Sequence, residues 1–187
     1  MNHFHFPVRF GSVWLSWTSE GLLSQIGWSE SRLAIAQKRA TPAPLVDLID
    51  QIRAFIHCGE PLNAILWDQI DRSNWSTFQL KVYQILLTIP HGETRTYGWV
   101  SHQMGQPFAS RAVGQALKRN PLPILIPCHR ILASNSIGGF MGKRDPSQPE
   151  LQLKQHLIRL EEEYRSPLFS FIQSDVRGFR SQHTGGP

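Results

Sequence analysis

A chain of 187 residues with 41% hydrophobic and 18% charged residues has length enough for one domain, or two small ones, around a buried core. No apolar run reaches membrane-spanning length, and Met1-Asn2-His3-Phe4-His5 lacks the basic-then-apolar opening of a secretion signal, so a cytoplasmic protein is expected. Two scattered cysteines, Cys58 and Cys128, exclude a disulfide framework and a four-ligand zinc site, and no histidine cluster has ligand spacing; neither metal nor cofactor is expected. The net charge of +5 is unevenly spread. Residues 1–90 carry seven Lys/Arg and seven Asp/Glu, whereas residues 91–144 carry seven Lys/Arg against Glu93 alone. Such a concentrated positive field suits a phosphate backbone, with a solvated basic face as the plain alternative.

In chain order, Ser12–Trp17 and Leu22–Trp28 flank Ser19-Glu20-Gly21 and predict a hairpin, with His3 and His5 as strand or tail residues. Residues 38–44 predict a loop, and apolar positions 45, 48, 49, 52 and 56 a helix over 45–56, with Cys58 as a core or loop residue. Residues 60–75 lead to a second unit. There Ser76 and Gln79 have capping-box spacing, and Phe78, Val82, Ile85, Leu86 and Ile89 form one face of a helix over 77–89. Thr96 can cap a helix over 97–104 that Gly105 terminates, and a further helix spans roughly 108–119. The pair suggests a helix-turn-helix. At about 100° per residue, Ala109, Ala112, Val113, Ala116 and Leu117 fall on one side of the later helix, and Arg111, Gln115 and Lys118 on the other beside Gly114. A glycine there costs about 1 kcal/mol against alanine and leaves a notch for close approach. Asn120-Pro121-Leu122-Pro123 turns the chain into an apolar strand, Ile124-Leu125-Ile126, that delivers Pro127-Cys128-His129-Arg130. A glycine-containing loop (134–142) precedes a last helix over 150–164 with Leu153, Leu157, Leu160 and Tyr164 on its core face; the tail 166–187 is expected to be partly disordered.

Cys128 has three readings: a buried structural cysteine, a metal ligand, or an activated nucleophile. The cysteine count weakens the second. Flanking His129 and Arg130 predict a depressed thiol pKa. On a strand, neighbours point to opposite faces, so His129 would act through a water or through a turn after Pro127. Its orienting partner is one of Glu161, Glu162, Glu163 or Glu93. A cysteine acting on nucleic acid unites these features; a cysteine hydrolase and a helix-turn-helix regulator are the rivals.

The stretch "NPLPILIPCHRI" (120–131) closely resembles the O6-alkylguanine-DNA alkyltransferase family, and the resemblance extends through "FQLKVYQILLTIPHGETRTYG" (78–98), "SRAVGQALKRNP" (110–121) and Glu161. It implies an α+β protein: a ribonuclease H-like, β-rich domain (1–75), a helical domain with a winged helix-turn-helix-like unit (76–165), and an extension (166–187). It implies single-turnover repair, in which Cys128 takes the alkyl group from guanine O6, with O4-alkylthymine as a possible further substrate. His129 would be its base through a water, Glu161 the orienter of His129, and Tyr97 a donor toward guanine N3. Arg111 would fill the space of an extruded base, and Gly114 would let the helix lie close in the minor groove. Thr96, Gln115, Lys118, Arg130 and Ser134 are further expected DNA contacts; Asn120 would hold the turn, and Pro123 and Phe140 would wall the pocket. The partner is double-stranded DNA bearing the lesion, met by a monomer. Phe140 stands where the family often has Tyr, Met141 replaces a small residue and would narrow the pocket, and about seven residues (144–150) are inserted before the last helix. A silent lesion-binding relative is the remaining alternative.

Overall fold

The fold is that of a computed structural model, which describes residues 2–9, 11–30, 41–63 and 67–165. Strands β1 (Asn2–Val8), β2 (Gly11–Trp17) and β3 (Leu23–Ser29) form an antiparallel sheet in that order. The expected hairpin is β2–β3, with Trp17 opposite Leu23, and β1 extends it into a meander with Val8 opposite Gly11. The central strand β2 is buried on both faces except at Trp14, as its run "GSVWLSW" permits. Helix α1 (Ala43–Cys58) starts with a proline in its first turn and ends at Gly59, whose left-handed φ of 73° lets its N–H reach the Phe55 carbonyl. Its stripe of Leu45, Ile49, Ile52, Phe55 and Ile56 is buried. The Cys58 thiol is half-buried and donates to the Ala54 carbonyl at 3.0 Å. After a 3₁₀ turn (Trp67–Gln69), Ile70 bridges Leu23 in parallel. The expected loop at 38–44 lies partly, and the tail 166–187 wholly, outside the described residues.

Helix α2 (Thr77–Leu87) carries both halves of the capping box between Ser76 and Gln79. It stops two residues short of the expected end, so Ile89 is buried outside the helix. Tyr83, absent from the expected stripe, is fully buried because its hydroxyl finds the Ala116 carbonyl at 3.0 Å. Strand β4 (Arg95–Thr96) pairs in parallel with β5 (Ile131–Leu132). Helix α3 (Tyr97–Gln103) is capped by Thr96, whose Oγ1 accepts from the Trp99 N–H at 3.1 Å. Helix α4 (Ser110–Lys118) buries Val113, Ala116 and Leu117 of the side expected to be buried; Ala109 is half-buried, and Ala112 is exposed and faces the cavity described below. Helix α5 (Pro149–Arg165) closes the described chain.

The expected strand at 124–126 is absent. Those residues are buried, but Ile124 sits at φ 75° and the Ile126 N–H donates to the Leu122 carbonyl at 2.8 Å. Pro121, Pro123 and Pro127 bring no N–H to a ladder. Asn120 replaces the ladder: its Oδ1 accepts from the Leu122 N–H and its Nδ2 donates to the Ile126 carbonyl, both at 3.0 Å.

The sheet and α1 pack on the second half at two places. The Ile26 N–H of β3 donates to the Pro121 carbonyl at 2.8 Å. Gly59 abuts α5 so closely that a Cβ there would fall on the Leu160 carbonyl. One apolar core runs through both halves. Among the described residues, no helix is long and apolar enough to cross a membrane.

Candidate active site

Cys128 begins a 3₁₀ turn, Cys128–Arg130, entered from Pro127. The turn removes strand alternation and sends the three side chains to different places. The Cys128 residue is 5% exposed, and its sulfur accepts from Asn120 Nδ2 at 3.1 Å. It lines a cavity of about 800 Å³. One wall is Tyr97 with Arg111, Gly114 and Lys118 of α4; the other is the segment 138–144. The expectation that the flanking basic side chains depress the thiol is overturned. Burial pushes the thiol pKa up, opposed by the Asn120 hydrogen bond and the charge of Lys154.

Behind the thiol, His129 is fully buried and its Nε2 lies 2.8 Å from Glu161 Oε1. Arg130 Nε donates to both Glu161 oxygens at 3.1 and 2.9 Å, and Nη1 donates to the Ile89 carbonyl at 2.8 Å. The Gly92 N–H adds a further bond to Glu161 at 3.0 Å. Burial opposes ionisation of Glu161, yet the bonds and charges of His129 and Arg130 hold it down at about 2. An ionised carboxylate can only accept, so Nε2 carries the ring proton and Nδ1 keeps a lone pair. Nδ1 is buried with no hydrogen-bond partner among the described residues. Of the candidate orienters, Glu161 meets His129, while Glu162 and Glu163 are exposed and Glu93 pairs with Arg95. Arg130, expected on DNA, is instead turned inward onto Glu161, because a buried carboxylate needs a cation.

Lys154 has no place in the sequence-based expectations. It is 0% exposed, and its ammonium donates to the carbonyls of Ile131 (2.5 Å), Ile137 (2.6 Å) and Gly139 (3.2 Å). Burial lowers its pKa to about 8, opposed by the field of Cys128. A signal is present: Leu151, Lys154, Leu157 and Glu161 recur at helical spacing, placing two opposite charges on a buried arc of α5.

The other expected residues divide. Tyr97 is half-buried in the cavity wall, its hydroxyl donating to the Gly139 carbonyl at 3.5 Å. Arg111, Gln115 and Lys118 are exposed and line the cavity with Gly114 and buried Phe140. Thr96 is the cap of α3. Pro123 is buried and bridges Ile126 instead of walling the cavity, and exposed Ser134 lies outside the lining. Met141 lines the cavity without closing it.

Residues 77–163 match the family model of the 6-O-methylguanine DNA methyltransferase DNA-binding domain. A methylated-DNA–protein-cysteine methyltransferase of Mycolicibacterium paratuberculosis is 36% identical over 133 residues, 71% of this chain and 72% of that protein. The chain belongs to the methylated-DNA–protein-cysteine methyltransferase family. A second methyltransferase, from Mycobacterium leprae, is 48% identical over 82 residues, and that match spans 43% of this chain and half of the relative's length. The crystal structure of Mycobacterium tuberculosis OGT in complex with DNA aligns over 87% of this chain and 94% of its own, with TM-score 0.67 and 28% identity. The methyltransferase match covers α2 through α5, and therefore Asn120, Cys128, His129, Lys154 and Glu161.

Proposed function

We propose that the chain reverses alkylation damage in DNA, moving the alkyl group from guanine O6 to the sulfur of Cys128 once per molecule. The observation that carries this reading is a thiol on the wall of a cavity bordered by a cationic helix, backed by an imidazole whose lone pair is fixed by Glu161. His129 Nδ1 takes the thiol proton through a water. The thiolate attacks the alkyl carbon, the carbon–O6 bond breaks, and guanine leaves with the electron pair and regains a proton. Tyr97 assists by donating toward the ring nitrogen N3. The product is S-alkylcysteine, and Cys58 is not among the residues lining the cavity.

A base inside a duplex cannot reach Cys128, so the nucleotide must leave the stack. Helices α3 and α4 serve as a winged helix-turn-helix-like unit, with α4 in the minor groove. Arg111 fills the vacated space, and Gln115, Lys118, Thr96 and Ser134 meet the strand. That the similar Mycobacterium tuberculosis OGT was solved in complex with DNA supports DNA as the partner. The division into 1–75, 76–165 and 166–187 is kept, and the strand meander, α1 and the Leu23–Ile70 bridge support a ribonuclease H-like first unit.

The decisive experiment is incubation with a duplex containing one O6-methylguanine, followed by intact mass and peptide mapping. The expected result is one methyl group on Cys128, with Cys128→Ser binding the duplex and gaining nothing. Binding without mass gain by the unaltered chain would make it a lesion-recognition protein instead.

A further inference from the structure

The cavity wall opposite α4 is a hairpin. Phe140 and Lys143 exchange backbone hydrogen bonds at 3.0 and 2.9 Å. The two residues between them, Met141 and Gly142, have φ of 48° and 84°, the double left-handed geometry of a type I′ turn. Its tip rests on α4: a Cβ on Gly142 would lie 3.4 Å from Lys118 Cε. The hairpin thus presents the side chains that follow its turn from a fixed base.

Those side chains are Lys143 and Arg144, both exposed and both lining the cavity. Arg111 and Lys118 line it from α4, and among the described residues no carboxylate does. Among the described residues none of the four makes an ion pair. The nearest acid in sequence, Asp145, turns into its own loop, accepting from the N–H and hydroxyl of Ser147 at 2.9 and 2.8 Å. Four cations with no ion-pair partner on two facing elements repel one another. Cys128 is 5% exposed while the four cations are exposed, so the cavity they share runs from a buried sulfur to a cationic rim.

We propose that Lys143 and Arg144 are the second jaw of a phosphate clamp. With Arg111 and Lys118 on the opposite lip, they grip the phosphates on either side of the nucleotide whose base occupies the cavity. The assignment rests on the repair reading and adds a DNA contact outside the helix pair. An ammonium and a guanidinium suit this role, one as a mobile point charge and the other as a fork for two phosphate oxygens.

The double variant Lys143→Ala/Arg144→Ala tests the clamp, with Lys143→Arg/Arg144→Lys as the charge-preserving control. Binding is measured over a KCl series on an undamaged duplex and on one with O6-methylguanine. Single-turnover transfer is measured on the damaged duplex and on free O6-benzylguanine, a base without phosphates. The slope of log K against log salt should become shallower by about 1 to 2. Duplex transfer should slow at least tenfold at moderate salt, free-base transfer should fall by much less, and the control should keep the salt slope and most of the duplex rate of the unaltered chain. An unchanged slope overturns the clamp while leaving repair intact. Equal losses on duplex and free base also overturn it, because the hairpin would then shape the cavity rather than hold phosphate. If no substrate is dealkylated, repair itself fails, and the slope on undamaged duplex still decides whether these cations hold DNA.

Discussion

At the scale of single residues, the site is a contest over one sulfur. Desolvation keeps the Cys128 thiol protonated, while Asn120 and Lys154 favour the thiolate. Lys154 therefore does two things: it holds three carbonyls around the cavity and supplies positive charge near the nucleophile. Lys154→Met keeps the apolar stem of the side chain, one atom shorter, and removes both. The carbonyl of buried Ile131 would lose this donor, at about 1–3 kcal/mol before relaxation, and those of half-buried Ile137 and Gly139 less, the latter keeping the Tyr97 hydroxyl. The thiol pKa, already raised, would rise further. The rate of alkyl transfer against pH should shift its midpoint to higher pH, with maximal rate recovered in part at alkaline pH. A lower rate with an unmoved midpoint would make Lys154 a scaffold residue only.

At the scale of elements, the notch in α4 has its own test. A Cβ at Gly114 would meet the Tyr97 ring at 3.8 Å, an ordinary contact, so Gly114→Ala strains nothing. Helix propensity should raise stability by about 1 kcal/mol, measured by thermal denaturation. Duplex repair should nevertheless slow, because a methyl group would stand between the helix and the groove; faster or equal repair would show that α4 does not approach DNA along this face. What the sequence disclosed follows the same division. The capping box of α2, the β2–β3 hairpin and, except at Ala109 and Ala112, the faces of α4 obey rules linking residues a few positions apart and are legible. The apolar run 124–126 reads as strand because hydrophobicity marks burial, not hydrogen bonding, and Asn120 supplies bonds no periodicity reveals. Lys154 stays hidden because its partners, the carbonyls of 131–139, are backbone groups without a sequence signature. Arg130 looks like a DNA contact for a related reason: its carboxylate lies 31 residues away.

Across the whole molecule, Glu161 joins parts that are distant in the chain: Gly92 after α2, the Cys128–Arg130 turn, α5, and His91, whose Nδ1 lies 3.7 Å from its Oε1 and whose ring meets Phe55 of α1 edge-on at 6.1 Å. Its folded pKa of about 2 lies below an unfolded value near 4.3. Its contribution is therefore complete above about pH 4.3 and fades as pH falls toward 2. Glu161→Gln leaves the Arg130 charge buried without its anion, at a cost of about 3 kcal/mol at neutral pH. In denaturant titrations the variant should be less stable at pH 7 and lose less further stability by pH 3. Transfer should fall roughly 10²-fold as His129 loses its orienter. Equal acid sensitivity in both proteins would remove Glu161 as the linked group. The position of this carboxylate also has a consequence for synthesis. It lies 32 residues beyond His129, so a growing polypeptide exposes its sulfur and imidazole while the acid that arms them is still untranslated. At about 5–20 residues per second, that interval lasts on the order of seconds. A newborn chain thus carries this sulfur in water with an ordinary thiol pKa, below the raised value of the buried one, and stays open to stray alkylating agents until its last helix has docked.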